Sequence, residues 1–136
     1  MADIRYLGLA DILALHELVM TRTGSAPAPV RDEGLLESAV MRPQMAAHYE
    51  EADLLRQAAL LATGISQAQA FLDGNKRTAF AACDVFLRLN GLIFQGDPLA
   101  LAQQLEGVAR HSSGFAQAVQ DFENWLRMQV VTRDHG

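Results

Sequence analysis

Two apolar helical segments, joined through a short polar stretch, constrain this chain more than any other feature. In the first, Leu54, Leu55, Ala58, Ala59, Leu61, Ala62 and Ile65 leave little polar face. In the second, Ala79, Phe80, Ala82, Cys83, Phe86, Leu87 and Leu89 cover most of the circumference. A helix apolar nearly all round has to be covered on every side, so both belong at the centre of a helical bundle. The pattern predicts one helix from Glu51 to Ala70 and a second from Asn75 or Lys76 to about Asn90. Gly64 offers the first helix a place for a neighbour to pack closely. Asp84 and Arg88 make an i,i+4 pair on the polar strip of the second. Asn90-Gly91 is a helix stop.

The rest of the chain supplies the cover. Ile4 to Leu7 alternates like a brief strand or an extended lead-in. From Leu9 the period becomes helical, with Ile12, Leu15, Leu18 and Val19 on one face and Asp11, His16, Glu17 and Arg22 off it. Gly8 is the candidate N-cap of this run, and Gly24 ends it. Ser25-Ala26-Pro27-Ala28-Pro29 reads as a surface connection, because two prolines cannot continue a helix. Asp32 caps a shorter helix with Leu35, Leu36, Ala39 and Val40 inside; Pro43 is expected to stop it, leaving Arg42 to Glu51 as a loop or flap. Leu92-Ile93-Phe94 reads as extended. Asp97-Pro98 opens another helix as N-cap and first residue. Ser112 or Ser113 is the expected cap of a last helix that buries Phe115, Val119, Phe122, Trp125 and Leu126. Val131 to Gly136 reads as a polar, frayed tail. The sum is one all-α domain over residues 1–136, a bundle of about six helices with room for a minor β element and its core at about 6–126.

Composition excludes several classes. The 136 residues suffice for one domain with a real core. A net charge of −5 argues against a nucleic-acid binder held by a basic surface, such as a helix-turn-helix regulator, though not against a small anion. The single cysteine, Cys83, precludes a disulfide framework and lies in an apolar helical run, as a buried inert thiol does. The four histidines are scattered, with no metal-binding pair. No signal-peptide pattern opens the chain and no apolar run is long enough for a span, so a cytoplasmic location is the expectation.

The polar chemistry collects in the turn between the two central segments, Asp73-Gly74-Asn75-Lys76-Arg77-Thr78. Gly74 permits a tight turn. The amides after it begin the outgoing helix, where unpaired N–H groups and the helix dipole favour an anion. Lys76 and Arg77 stand at the same end. Cations there oppose the dipole, which points to an anion that compensates both. Asp73 could hold a Mg²⁺ that bridges phosphates, and Asn75 can donate or accept. The plainer alternative is an ordinary turn in which Asp73 caps the next helix and the cations are solvated.

Phe71-x-Asp73-Gly74-Asn75-Lys76-Arg77-Thr78-Ala79 resembles the signature of the Fic/Doc superfamily, in its death-on-curing branch. Fic proteins proper carry HxFx[DE]GNGRxxR; the death-on-curing branch has Lys where Lys76 stands and lacks the final Arg, here Phe80. The resemblance extends from about Tyr6 to Leu126 and takes in the first helix, with Leu13-Ala14-Leu15-His16-Glu17, and Phe86-Leu87-Arg88-Leu89-Asn90-Gly91. It implies an all-helical Fic fold whose motif loop binds ATP phosphates and Mg²⁺. By position it makes Asp73 the metal carboxylate, Gly74 and Asn75 the anion hole, Lys76 and Arg77 the phosphate clamp, and Phe71 the anchor of the loop. It implies a toxin that phosphorylates a threonine of elongation factor Tu and arrests translation, neutralised by a Phd-type antitoxin whose disordered C-terminal segment folds into a groove near the site. Fic-type AMP transfer is the related alternative. The inhibitory [ST]xxxE[GN] helix of some Fic proteins is not matched, since Pro29 stands at the Ser/Thr place before Glu33-Gly34.

The departure is at Gln69, where the resemblance places the catalytic His, the general base. An amide can hydrogen-bond but takes up no proton near neutral pH. The phosphate clamp is intact, so the chain is expected to hold nucleotide and turn it over poorly. Either a natural loss or a deliberate replacement of a toxic residue accounts for this. A non-catalytic protein that binds nucleotide or antitoxin is the remaining alternative.

Overall fold

The computed structural model describes residues 3–26, 28–110 and 114–133, the side chains of residues 109 and 110 excepted. In chain order these form α1 (Leu9–Arg22), α2 (Glu33–Glu50), α3 (Leu54–Ala68), α4 (Asn75–Leu89), β1 (Leu92–Phe94), α5 (Pro98–Arg110), α6 (Phe115–Met128) and β2 (Val130–Thr132). The expected all-α bundle with a small β element is what the chain forms. Among the described residues, no helix is long and apolar enough to cross a membrane.

α3 lies at the centre and touches α2, α4, α5 and α6, while α4 packs against α3, α1, α5 and β1. Ala58, Ala59, Leu61, Ala62 and Ile65 of α3 are buried with Ala79, Ala82, Cys83, Phe86 and Leu87 of α4 in one core. Two buried polar side chains of α3, Gln57 and Thr63, have partners, whereas Ser66 Oγ and Gln67 Nε2 are buried without a hydrogen bond among the described residues. Gln57 accepts from the Tyr6 hydroxyl and donates to the Ala52 carbonyl. The Thr63 hydroxyl returns to the Ala59 carbonyl at 2.7 Å. A Cβ on Gly64 would sit 3.3 Å from the Cβ of Ala39, so α2 and α3 approach as closely as the glycine suggested. Asp84 and Arg88 form the expected pair.

Several elements differ from the sequence expectation. α2 does not stop at Pro43; it continues to Glu50, so Arg42 to Glu51 is helix rather than flap. Leu36, Ala39, Pro43 and Ala46 form one buried stripe, and this packing outweighs the hydrogen bond that the proline lacks. α3 begins at Leu54, capped by Asp53 through the Arg56 amide, because Glu51 has turned into the left-handed region to end α2. His16, expected off the apolar face of α1, is buried at 3% exposure in line with Ile12 and Met20, whereas Leu18 is largely exposed. α6 takes Gly114 as its N-cap; Ser112 and Ser113 lie outside the described residues. The expected frayed tail is ordered where it is described, and residues 134–136 lie outside the described residues. Val130–Thr132 pairs antiparallel with β1, with Phe94 opposite Val130.

Cys83 is fully buried, and burial with the neighbouring Asp84 carboxylate pushes its thiol up to about 12. At pH 8 it stays protonated and hidden, and thiolate is the reactive form. An aromatic disulfide reagent should leave the native protein unlabelled at pH 8 and take up one equivalent in denaturant. Rapid labelling of the native protein would contradict this burial.

Candidate active site

The site is the crossing from α3 to α4, and its shape comes from three parts of the chain. α3 ends at Gln69, a non-glycine residue in the left-handed conformation (φ 47, ψ 44). Such backbone costs on the order of 1–3 kcal/mol and persists only where surrounding contacts enforce it. Here the enforcing contacts come from the α1–α2 loop. Arg31 Nη2 donates to the Gln69 carbonyl at 2.8 Å, and the amides of Arg31 and Asp32 both donate to the Ala70 carbonyl. Leu72 N–H donates to the Pro29 carbonyl, and Val30 faces Phe71 across an antiparallel bridge. The proline-rich connection is thus a strap over the motif, not a plain surface loop.

Beyond Gln69 the chain turns around Phe71. Its ring is buried at 1% exposure and stacks on His16, with centroids 3.7 Å apart and planes 7° from parallel. Its backbone is gripped at both ends by one side chain: Asn75 Oδ1 accepts from Phe71 N–H at 3.1 Å, and Asn75 Nδ2 donates to Phe71 O at 2.9 Å. The Asn75 side chain is therefore occupied in holding the turn, and what it offers an anion is its backbone amide. Gly74 has φ +84, and a Cβ there would lie 2.6 Å from Met20 Sδ and 3.3 Å from His16 Nε2. Only glycine fits the turn on both counts.

Gly74 is the N-cap of α4 and offers no side chain to its amides. The first bond into the helix runs from Thr78 N–H to the Gly74 carbonyl, so the amides of Asn75, Lys76 and Arg77 precede it at the positive end of the dipole. Asp73 does not cap the helix. Its Oδ1 accepts from Gly74 N–H at 2.8 Å and its Oδ2 lies 3.3 Å from Arg77 Nη2. Arg77 also donates to the Thr23 hydroxyl, and Lys76 pairs with Glu106 of α5 at 2.8 Å. These pairs are exposed or nearly so, and such pairs contribute about 0–1 kcal/mol. An incoming polyanion can displace them at little cost.

Gln69, Asp73, Gly74, Asn75, Lys76 and Arg77, the six site residues expected from the sequence, line one cavity of about 270 Å³ with Ser66 and Leu72. That is smaller than the roughly 300–1,000 Å³ typical of pockets that enclose a whole ligand. It has room for a phosphate-sized group rather than for a whole nucleotide. Among the described residues no cluster of three or more His, Cys, Asp or Glu could cage a metal by itself. Mg²⁺ is commonly held by one or two carboxylates and the substrate's phosphates, a role for which Asp73 is suited. Two contributors escaped sequence reasoning, His16 and the strap at Pro29–Asp32. His16 had a signal, the i,i+4,i+8 register with Ile12 and Met20; the strap had none beyond its prolines.

The chain belongs to the Fic/DOC family, whose model matches residues 6–87, more than half of its length. Among its relatives is the "Toxin Doc" of Mycolicibacterium smegmatis, 33% identical over 129 residues that cover 85% of this chain and 96% of the relative. Another is the "Protein kinase doc" of Escherichia phage P1, 33% identical over 99 residues, 71% of this chain and 78% of the relative. The resemblance carried by Phe71 to Ala79 is borne out, and both relatives bear the name of the death-on-curing branch.

Proposed function

We propose that this chain is a Doc-type toxin built to transfer the γ-phosphoryl group of ATP to a threonine of elongation factor Tu and so arrest translation. In the form given by this sequence it holds nucleotide and turns it over poorly. The observation that carries this reading is the convergence of three helix-start amides, Lys76, Arg77 and Asp73 on one phosphate-sized cavity beside residue 69. The amides and the two cations would take the phosphate oxygens, and Asp73 would hold Mg²⁺. Mg²⁺, when bound, supplies charge neutralisation at the phosphates. Gln69 stands where the family's base stands; its amide can orient a hydroxyl but cannot accept its proton. The relative named as a protein kinase favours phosphoryl over AMP transfer. The neutralising partner would be a Phd-type antitoxin that folds on binding, at the ordering cost usual for such segments.

Titration calorimetry with ATP and Mg²⁺ tests the reading on the chain as it stands. Saturable binding is expected, with no measurable release of labelled phosphate over hours. Absence of binding at millimolar nucleotide would overturn it.

A further inference from the structure

We propose that His16 is a positioning residue for the Asp73 carboxylate and acts on it through a single peptide group. The inference rests on the reading of Asp73 as the Mg²⁺ carboxylate. His16 Nε2 lies 2.9 Å from the carbonyl oxygen of Asp73, fifty-seven positions away in the chain. A carbonyl only accepts, so Nε2 carries the hydrogen and donates it. The same peptide group ends in Gly74 N–H. In a trans peptide the C=O and N–H vectors point in opposite directions across one rigid plane. The N–H end donates to Asp73 Oδ1 at 2.8 Å. A buried ring thus fixes one edge of a plane whose other edge fixes the carboxylate.

The ring is well placed to act as a fixed point. It is 3% exposed, stacked on Phe71, and packed with Met20 into the space that a Cβ on Gly74 would need. The carboxylate is the opposite. Its side chain is 65% exposed, and among the described residues its second oxygen meets the partly exposed Arg77 at 3.3 Å. A phosphate that draws Arg77 away leaves the Gly74 amide as the hold on Asp73. The peptide relay therefore keeps the carboxylate directed while the cation changes partner. A histidine that merely filled the core would need neither the aligned donor nor the glycine beneath it.

Two variants separate positioning from packing. His16→Phe keeps a flat ring against Phe71 and removes the donor; His16→Gln keeps a donor and removes the ring. Hydrogen exchange at the Gly74 amide, read against the Ile65 amide in α3, needs no ligand. Loss of one hydrogen bond corresponds to roughly tenfold. Exchange at Gly74 should speed up by about that factor in His16→Phe, with Ile65 unchanged, and recover in part in His16→Gln. The gain in ATP affinity on adding Mg²⁺ should fall by a similar factor in His16→Phe, while Mg²⁺-free ATP binds as in the parent. Unchanged Gly74 exchange in His16→Phe would overturn the proposal. So would an affinity loss equal with and without Mg²⁺, or a Mg²⁺ gain that stays intact. A parent that binds no ATP defeats the nucleotide reading alone, and the exchange measurement still decides the role of His16.

Discussion

Gln69→His should raise phosphoryl transfer by about 10²–10⁴-fold, the usual contribution of a general base. No other residue of the cavity has to change for this, since Asp73, Gly74, Asn75, Lys76 and Arg77 already line it. The backbone is also prepared. Residue 69 is held in the left-handed region by the Arg31 side chain and by the strap, not by anything peculiar to glutamine. A histidine there inherits the same direction into the cavity. Expression of the variant should arrest growth of a bacterial host, and co-expression of a Phd-type antitoxin should relieve the arrest. With purified elongation factor Tu, label should move from γ-labelled ATP and not from α-labelled ATP. Label from the α position would replace the kinase reading with AMP transfer. A harmless variant that moves neither label would remove both.

Phe71→Ala should cost about 3–5 kcal/mol of stability, near the upper end for single core truncations. Phe71 is among the largest fully buried side chains, and its ring is the surface on which His16 stacks. Its loss opens a cavity beneath the motif and frees His16 from one face. Urea unfolding followed by circular dichroism should show the midpoint fall with little change in slope. Leu72→Ala, one position away but exposed, is the internal control and should move the midpoint very little. Equal effects from the two would mean that the ring is not the anchor of the turn.

How much was legible follows from how local each feature is. The pair of central helices could be read because Ala58, Ala62, Ile65, Ala79, Cys83 and Phe86 carry their burial in their own spacing. The polar turn could be read because Asp73 to Arg77 are consecutive, and the same residues line one cavity. Pro43 was misread because the rule that proline ends a helix is local, whereas the burial of the stripe it shares with Leu36, Ala39 and Ala46 is not. His16 was misread because a polar residue was assigned outward, while its partner is a carbonyl that the helix pattern of α1 cannot reveal. The strap was missed for the same reason: Arg31 finds Gln69 only after α2 and α3 have folded back on each other. Nothing in the order Pro29-Val30-Arg31 states that it will pair with Ala70-Phe71-Leu72.

The strap and the His16 contact also set when the site can exist. Both span long stretches of chain, thirty-eight positions from Arg31 to Gln69 and fifty-seven from His16 to Asp73. Closing such loops is entropically costly, and contacts of this separation are gained together with the global fold rather than ahead of it. The left-handed residue 69 and the glycine turn have no reason to hold their shape in an isolated α3–α4 hairpin. A nascent or partly unfolded chain therefore carries the motif without the site. The geometry of the site then rises and falls with the cooperative unfolding of the whole domain, leaving no small fragment that keeps it by itself.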